Sequence, residues 1–183
     1  MYNVHSKGDC MIKKDTTIKY MFRKVNDITP EVVRELGLEA IAFDLDNTTV
    51  KDATLTTIKG AISWIKELKA AGIKVGIVTN TPRIRAFWFS RTFGVKLEGA
   101  AGKPASRGVI RICKRLGVEP EKLGMVGDQV FTGIAAANRC GAVPLLVDPV
   151  ENKWFWKNHC KKNRIKEKPL REEFLKEHGY YGD

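Results

Sequence analysis

A chain of 183 residues, 43% hydrophobic and 29% charged, has the size and composition of one globular domain with a sizeable apolar core and short terminal elaborations. No segment stays apolar for the roughly 18 residues a membrane-spanning helix requires, and Met1 to Cys10 hold no stretch of signal-peptide type, so a cytoplasmic location is expected. The formal charge of +11 is unevenly placed: Lys153 to Arg171 hold eight Lys or Arg against one Glu, which suits a phosphate-rich partner (lipid surface, nucleic acid or phosphorylated metabolite) or a solvated helix.

Residues 1–20 are polar, mixed in charge and aperiodic, and they open a lead-in that ends near residue 27. Thr29-Pro30 then starts a helix, with Thr29 as N-cap and Pro30 at the first helical position, and Gly37 closes it. Ala40 to Phe43 is a short, wholly apolar run that stops at Asp44, as a central parallel strand does when helices cover both of its faces. A helix over 57–71 carries Ile58, Ala61, Ile62, Ile65 and Leu68 and stops at Gly72; Lys74 to Val78 is the second strand. The next helix, about 82–92, begins with Pro82 and carries Ile84, Phe87, Trp88 and Arg91. A weaker strand is predicted near 96–100, then a helix over 105–116, a strand at Leu123 to Val126, a helix over 131–140 and a strand at Val143 to Val147.

This alternation predicts an α/β fold: a Rossmann-like, three-layer α/β/α domain over 28–150, with a mostly parallel sheet of about five strands. Asn47 to Thr56 alone separate the first strand from its helix, which leaves no space for a separate cap domain. Residues 151–183 are expected to form a basic helical extension packed on the core, with Trp154, Phe155 and Trp156 either packing that helix or meeting a membrane interface. The four cysteines, at 10, 113, 140 and 160, show no C-x-x-C spacing, and Cys113 and Cys140 fall in amphipathic helical patterns as small buried hydrophobes.

Open α/β sheets bind ligands beyond the carboxyl ends of their strands. Four polar signals stand at such places: Asp44-Leu-Asp46-Asn-Thr48, Thr79-Asn80, Lys103-Pro104 and Gly127-Asp128. Three carboxylates, Asp44, Asp46 and Asp128, with no histidine or cysteine nearby, suit a hard, oxygen-seeking ion such as Mg²⁺. In that constellation Asp44 is the nucleophile toward phosphorus and Asp46 the general acid and base. Thr79 offers a hydroxyl to phosphoryl oxygens, and Lys103 supplies a fixed positive charge.

In that order the four motifs resemble those of the haloacid-dehalogenase-type (HAD) phosphatases, and the resemblance covers most of 28–167. It implies an aspartyl-phosphate on the first Asp, an acid/base role for the second, and Mg²⁺ held by both and by the Asp of the fourth motif. Ile28 to Gly37, Gly127-Asp-Gln-Val-Phe-Thr132, Asn138-Arg139 and Asn163-Arg164 further resemble the YqeG-like subfamily, which includes phosphatidylglycerophosphate phosphatases with little or no cap. Arg85 stands where that family keeps a basic residue, and Asn80, Arg85, Asn138, Arg139 and Arg164 are the candidate substrate contacts, the arginines for bidentate phosphate recognition. Asn138 as a helix-end cap, with Arg139 and Arg164 facing solvent, is the alternative.

Three departures from the family pattern are visible. Gly133 replaces an Asp, Thr49 a Leu, and Thr79-Asn-Thr a Ser-Asn-Asn. The implied function is phosphomonoester hydrolysis at an anionic phospholipid, peripherally at a membrane. Two alternatives stand beside it: a nucleotide or polynucleotide 3′-end phosphatase, and a catalytically weakened scaffold that keeps the metal site.

Overall fold

The structure, a computed structural model, describes residues 15–151 and 158–183. Six strands are joined by helices in the order β1 (Tyr20–Phe22), α1 (Pro30–Glu35), β2 (Ala40–Phe43), α2 (Ala61–Ala70), β3 (Lys74–Val78), α3 (Arg83–Phe93), β4 (Lys96–Glu98), α4 (Arg107–Leu116), β5 (Leu123–Gly127), α5 (Ala135–Asn138), β6 (Val143–Val147) and α6 (Asn158–His178). They form one sheet, ordered β1-β6-β5-β2-β3-β4, with every pairing parallel. The three-layer α/β expectation is met, with one strand more than the five anticipated.

The added strand is Tyr20–Phe22, inside the stretch expected to be a lead-in. Its three residues pair with Leu145, Leu146 and Val147. Three residues are too few to display a period, so only the neighbouring β6 reveals it as a strand. Met21 and Phe22 within it, and Val25 and Ile28 after it, are all buried.

Three element boundaries also differ from the expected ones. Helix α2 starts at Ala61 rather than 57, because 51–60 turns back on itself: Val50 bridges both Asp46 and Thr57, and Gly60 takes φ +84° at the N-cap. In place of one helix over 131–140, a π-helical turn at Val130–Ile134 leads into α5. The wider turn directs Val130 and Ile134 into a cluster with Met21 and Leu146, beneath Leu170 and Phe174 of α6. The strand expected near 96–100 is confined to Lys96–Glu98.

Strand order positions the site. From central β2 the chain first builds outward through β3 and β4, then returns to β5 on the other side of β2. Helices leaving adjacent β2 and β5 therefore diverge and open a crevice at their carboxyl ends. The register Phe43↔Val126, extended by the Asp44 N–H to the Val126 carbonyl at 3.0 Å, puts Asp44 alongside Gly127 and Asp128 in that crevice.

Under the crevice lies an apolar core. Trp64, Ile65 and Leu68 of α2 recur at helical spacing and are fully buried, and the Trp64 indole N–H donates to the Ile28 carbonyl at 2.8 Å. Gly76 and Gly124 lie where a side chain would collide: a Cβ would come within 2.8 Å of Ile112 and of Ile41 and Leu145, respectively. No helix among the described residues is long and apolar enough to cross a membrane. Trp154, Phe155 and Trp156 lie outside the described residues.

Candidate active site

Asp44 is fixed at both carboxylate oxygens. Its Oδ1 accepts from the Leu45 N–H at 2.9 Å, and its Oδ2 lies 2.7 Å from the Lys103 ammonium. Lys103 is itself buried and donates to the Val78 carbonyl at 2.8 Å, so a charge costly to desolvate has two acceptors. The loop bearing it is clasped by Asn80, whose amide accepts from the Lys103 N–H at 2.8 Å and donates to the Lys103 carbonyl at 3.0 Å. Asn80, a candidate substrate contact, thus spends its side chain on positioning Lys103. Thr49 is fully buried where the family has Leu, and its hydroxyl is satisfied by the Asp44 carbonyl at 3.0 Å.

Asp46 faces the α3 side. Its carboxylate accepts from the Thr81 hydroxyl at 2.6 Å, from the Ala53 N–H at 3.1 Å and from Arg85 Nη1 at 2.9 Å. Thr79, buried at the end of β3, donates its hydroxyl to Thr81 Oγ1 at 3.0 Å, which makes a relay from Thr79 through Thr81 to Asp46. Thr81 was not among the predicted residues; its signal was position, two residues after Thr79 in the same strand-end turn. Arg85 also donates through Nε to the Thr54 carbonyl at 2.9 Å, tying the short 51–57 loop to α3.

Asp128 is fully buried. Burial raises its pKa to about 6; the Arg164 charge opposes that rise, the Asp44 and Glu167 charges add to it, and Arg171 opposes it again. Thr48 donates to its Oδ1 at 3.2 Å. From α6, Arg164 contacts both the Asp128 carboxylate and its main-chain carbonyl and lies 3.3 Å from Glu167. Arg171 reaches the same carbonyl at 2.6 Å, the Val147 carbonyl at 3.2 Å and Asp148 at 3.2 Å. Glu167, fully buried, accepts from the Phe131 N–H at 3.2 Å.

Glu167 and Arg171 were also missed. In sequence they look like members of a charged helix, and only the 3–4 spacing of Arg164, Glu167 and Arg171 hints that they share a face.

Asn138 and Arg139 are directed elsewhere. The Asn138 amide donates to the Asp15 and Thr17 carbonyls at 2.8 and 2.9 Å. Arg139 pairs with the Asp15 carboxylate at 2.8 Å and donates to the Pro104 carbonyl at 2.9 Å. Together they tie the segment before β1 to the Lys103-Pro104 loop. Cys113 is buried, and burial, with Cys140 nearby, raises its thiol pKa to about 11.

The expected trio of carboxylates is not assembled: among the described residues no three His, Cys, Asp or Glu side chains cluster as a metal cage. The Asp46 carboxylate is committed to Thr81, Ala53 and Arg85. That leaves Asp44 and Asp128 as the two oxygen donors, each facing a cationic side chain in this structure, Lys103 and Arg164. That pair fits Mg²⁺, which takes one or two carboxylates and keeps several waters.

Comparison with known proteins gives this geometry a family. The chain is 33% identical over 140 residues to "Probable phosphatase YqeG" of Bacillus subtilis, covering 76% of this chain and 81% of that protein. This chain belongs to the YqeG-like HAD phosphatases. The haloacid dehalogenase-like hydrolase profile matches residues 51–141. Phosphatidylglycerophosphate phosphatase 1 of Arabidopsis thaliana is 27% identical over 130 residues, 66% of this chain and 37% of that one.

Among solved structures, the cobalt-bound deoxy-D-mannose-octulosonate 8-phosphate phosphatase of Haemophilus influenzae superposes with a TM-score of 0.51 at 14% identity. It covers 61% of this chain and 69% of its own, a likeness of fold. Membership makes the protein an enzyme of the phosphatase type.

Proposed function

We propose that this protein is a Mg²⁺-dependent phosphomonoester hydrolase acting through an aspartyl-phosphate on Asp44, and that its substrate is a phospholipid phosphomonoester of the phosphatidylglycerophosphate type. The observation that carries the chemistry is the fixation of Asp44, with one oxygen on Lys103 and the other on a backbone N–H, at the sheet's switch point.

Asp44 attacks phosphorus, an Oδ–P bond forms, and the bond to the leaving oxygen breaks while Asp46 delivers a proton to that oxygen. Asp46 then takes a proton from water, which attacks the phosphorus, releases inorganic phosphate and regenerates Asp44. Thr81 and Arg85 hold Asp46 in position for both steps. Lys103, fixed against the Val78 carbonyl, stabilises negative charge without having to reorganise. When bound between Asp44 and Asp128, Mg²⁺ would neutralise the phosphate and orient it for in-line attack.

Two features favour a lipid substrate over a soluble one. The Arabidopsis relative carries that activity in its name. The segment from Asn47 to Thr56 is a tied-down turn rather than a cap. A head group whose acyl chains stay in a bilayer cannot be enclosed by a lid, so an uncapped site is a physical requirement.

The test is a phosphate-release assay comparing phosphatidylglycerophosphate in anionic vesicles with nucleotides, sugar phosphates and 3′-phosphorylated oligonucleotides. Preferential release from the lipid is expected, with Asp44→Asn losing on the order of 10³-fold or more at unchanged folding. Faster release from a soluble substrate with the lipid untouched would end the lipid assignment. Near-normal activity in Asp44→Asn would end the aspartyl-phosphate assignment.

A further inference from the structure

Helix α3 buries Ala86, Phe89, Ser90 and Phe93 against the sheet, as its position requires. Its outer face is not polar. Ile84 is 89% exposed, Phe87 60% and Trp88 45%, and with Arg91 they stand at i, i+3, i+4 and i+7, one stripe along the helix. Large apolar side chains standing singly in solvent are ordinary, but three on one helix face form a patch that needs a partner.

The patch borders the active site. Arg85, between Ile84 and Ala86, reaches inward to Asp46 and to the Thr54 carbonyl. Leu55, next to Thr54, is 57% exposed beside the same first turn of α3. The Ile84 end of the patch, with Leu55, therefore adjoins the loop that holds Asp46.

The charge around it has one sign. From Arg83 to Leu116 there are nine Lys or Arg, of which Arg85 and Lys103 pair inward with Asp46 and Asp44, and a single acidic residue, Glu98. Glu98 is buried and already taken by Arg111 at 2.7 Å and Arg115 at 3.4 Å. A groove of about 1070 Å³ beside α3 is lined by Lys69, Lys74, Arg83, Arg91, Lys96 and Arg115 among others. Among the described residues no carboxylate pairs with Arg83, Arg91 or Lys96.

We infer that the outer face of α3, with Leu55, is the surface by which the protein docks on an anionic lipid bilayer, its apolar side chains entering the headgroup boundary and its arginines and lysines meeting lipid phosphates. This rests on the hydrolase reading above only in naming the partner of that site. An amphipathic helix with basic flanks and an aromatic and aliphatic face is suited to lie in a membrane interface, and Trp is favoured at headgroup depth. A second copy of the chain fits the same face poorly, since a two-fold contact would press Arg83 and Arg91 against their own copies. A nucleic acid would stack on Phe87 and Trp88 but leave the more exposed Ile84, and Leu55, without use, as neither offers a ring.

The test is co-sedimentation of the full chain with vesicles of phosphatidylcholine containing phosphatidylglycerol, and with phosphatidylcholine alone. The protein should partition to the anionic vesicles about tenfold or more over the neutral ones. Ile84→Ser/Phe87→Ser/Trp88→Ser should lose about tenfold of that partition while hydrolysing a small soluble phosphomonoester at the unmodified rate. Ile84→Ser alone, at the most exposed position, should lose a measurable part of it and guards against misfolding of the triple variant.

Equal partition of variant and unmodified protein overturns the inference, as does an unmodified protein indifferent to anionic vesicles. Binding of an oligonucleotide, or self-association, that the triple variant abolishes in place of vesicle binding also overturns it. Vesicle binding through α3 by a protein that releases phosphate from nothing would leave the docking surface standing and remove the hydrolase reading instead.

Discussion

The two walls of the crevice are built differently. On the β2–β3 side each candidate reactive group is held by residues at or just beyond the strand ends: Asp44 by Leu45 and Lys103, Lys103 by Val78 and Asn80, Asp46 by Thr81 and Arg85. On the β5 side Asp128 is held by Arg164 and Arg171 of α6, the helix that follows the last strand. The first wall keeps its carboxylates partly in water, with 13% and 23% of the Asp44 and Asp46 side chains exposed, whereas Asp128 has none. A carboxylate left in contact with water can be served by short loops. One that is fully desolvated needs fixed counter-charges, and here a separate helix brings them.

The comparison breaks most visibly at Arg164. Arg164→Met leaves Asp128 and Glu167 buried with less compensation, and should cost roughly 3–5 kcal/mol of stability in metal-free buffer, measured by urea denaturation. Added Mg²⁺ should restore part of that loss by binding the native state at the released carboxylate. A change below about 1 kcal/mol, the scale of an exposed ion pair, would mean that the β5 wall stands without α6.

On the other wall the effect should be smaller and should appear in rate. Arg85→Lys keeps the charge but cannot bridge Asp46 and the Thr54 carbonyl together. Losing a hydrogen bond to a charged group costs about 1.5–3 kcal/mol, so kcat/KM should fall by about 10–100-fold in steady-state assays, with stability little changed. An unaffected kcat/KM would show that the arginine merely ties the loop down.

The smallest effect is expected at Gly133, beside β5. A Cβ added there meets only ordinary contacts, 3.7 Å from Met125 and 3.8 Å from Gly127, so Gly133→Asp is sterically admissible at its first atom. The family acid expected here would brace Lys103 or the metal water. In this chain Lys103 already has the Val78 carbonyl and Asp44, and Asp128 has Thr48 and two arginines. The substitution should therefore change kcat/KM by less than about tenfold. A gain on the 10–100-fold scale of a lost outer-shell partner would reveal that these substitutes fall short.

Much of this architecture was legible in the amino-acid sequence, for identifiable reasons. A central parallel strand such as Ala40–Phe43 is apolar on both faces and ends abruptly at Asp44, so both the strand and the candidate site at its end declare themselves locally. The motifs of the first wall lie within a few residues of such strand ends, and Asp44, Asp46, Thr79 and Lys103 come together wherever those strands pair.

Tertiary structure alone decided the rest. Tyr20–Phe22 became a strand because β6 offered an edge. Asn138 and Arg139 turned toward Asp15 and Pro104. Arg164, Glu167 and Arg171, members of one basic helix in sequence, became the counter-charges of a buried carboxylate. Covalent neighbours and periodicity report how a residue meets its own element. Which distant charge neutralises which, and which apolar face stays bare, is set by the packing of elements that the local sequence does not encode.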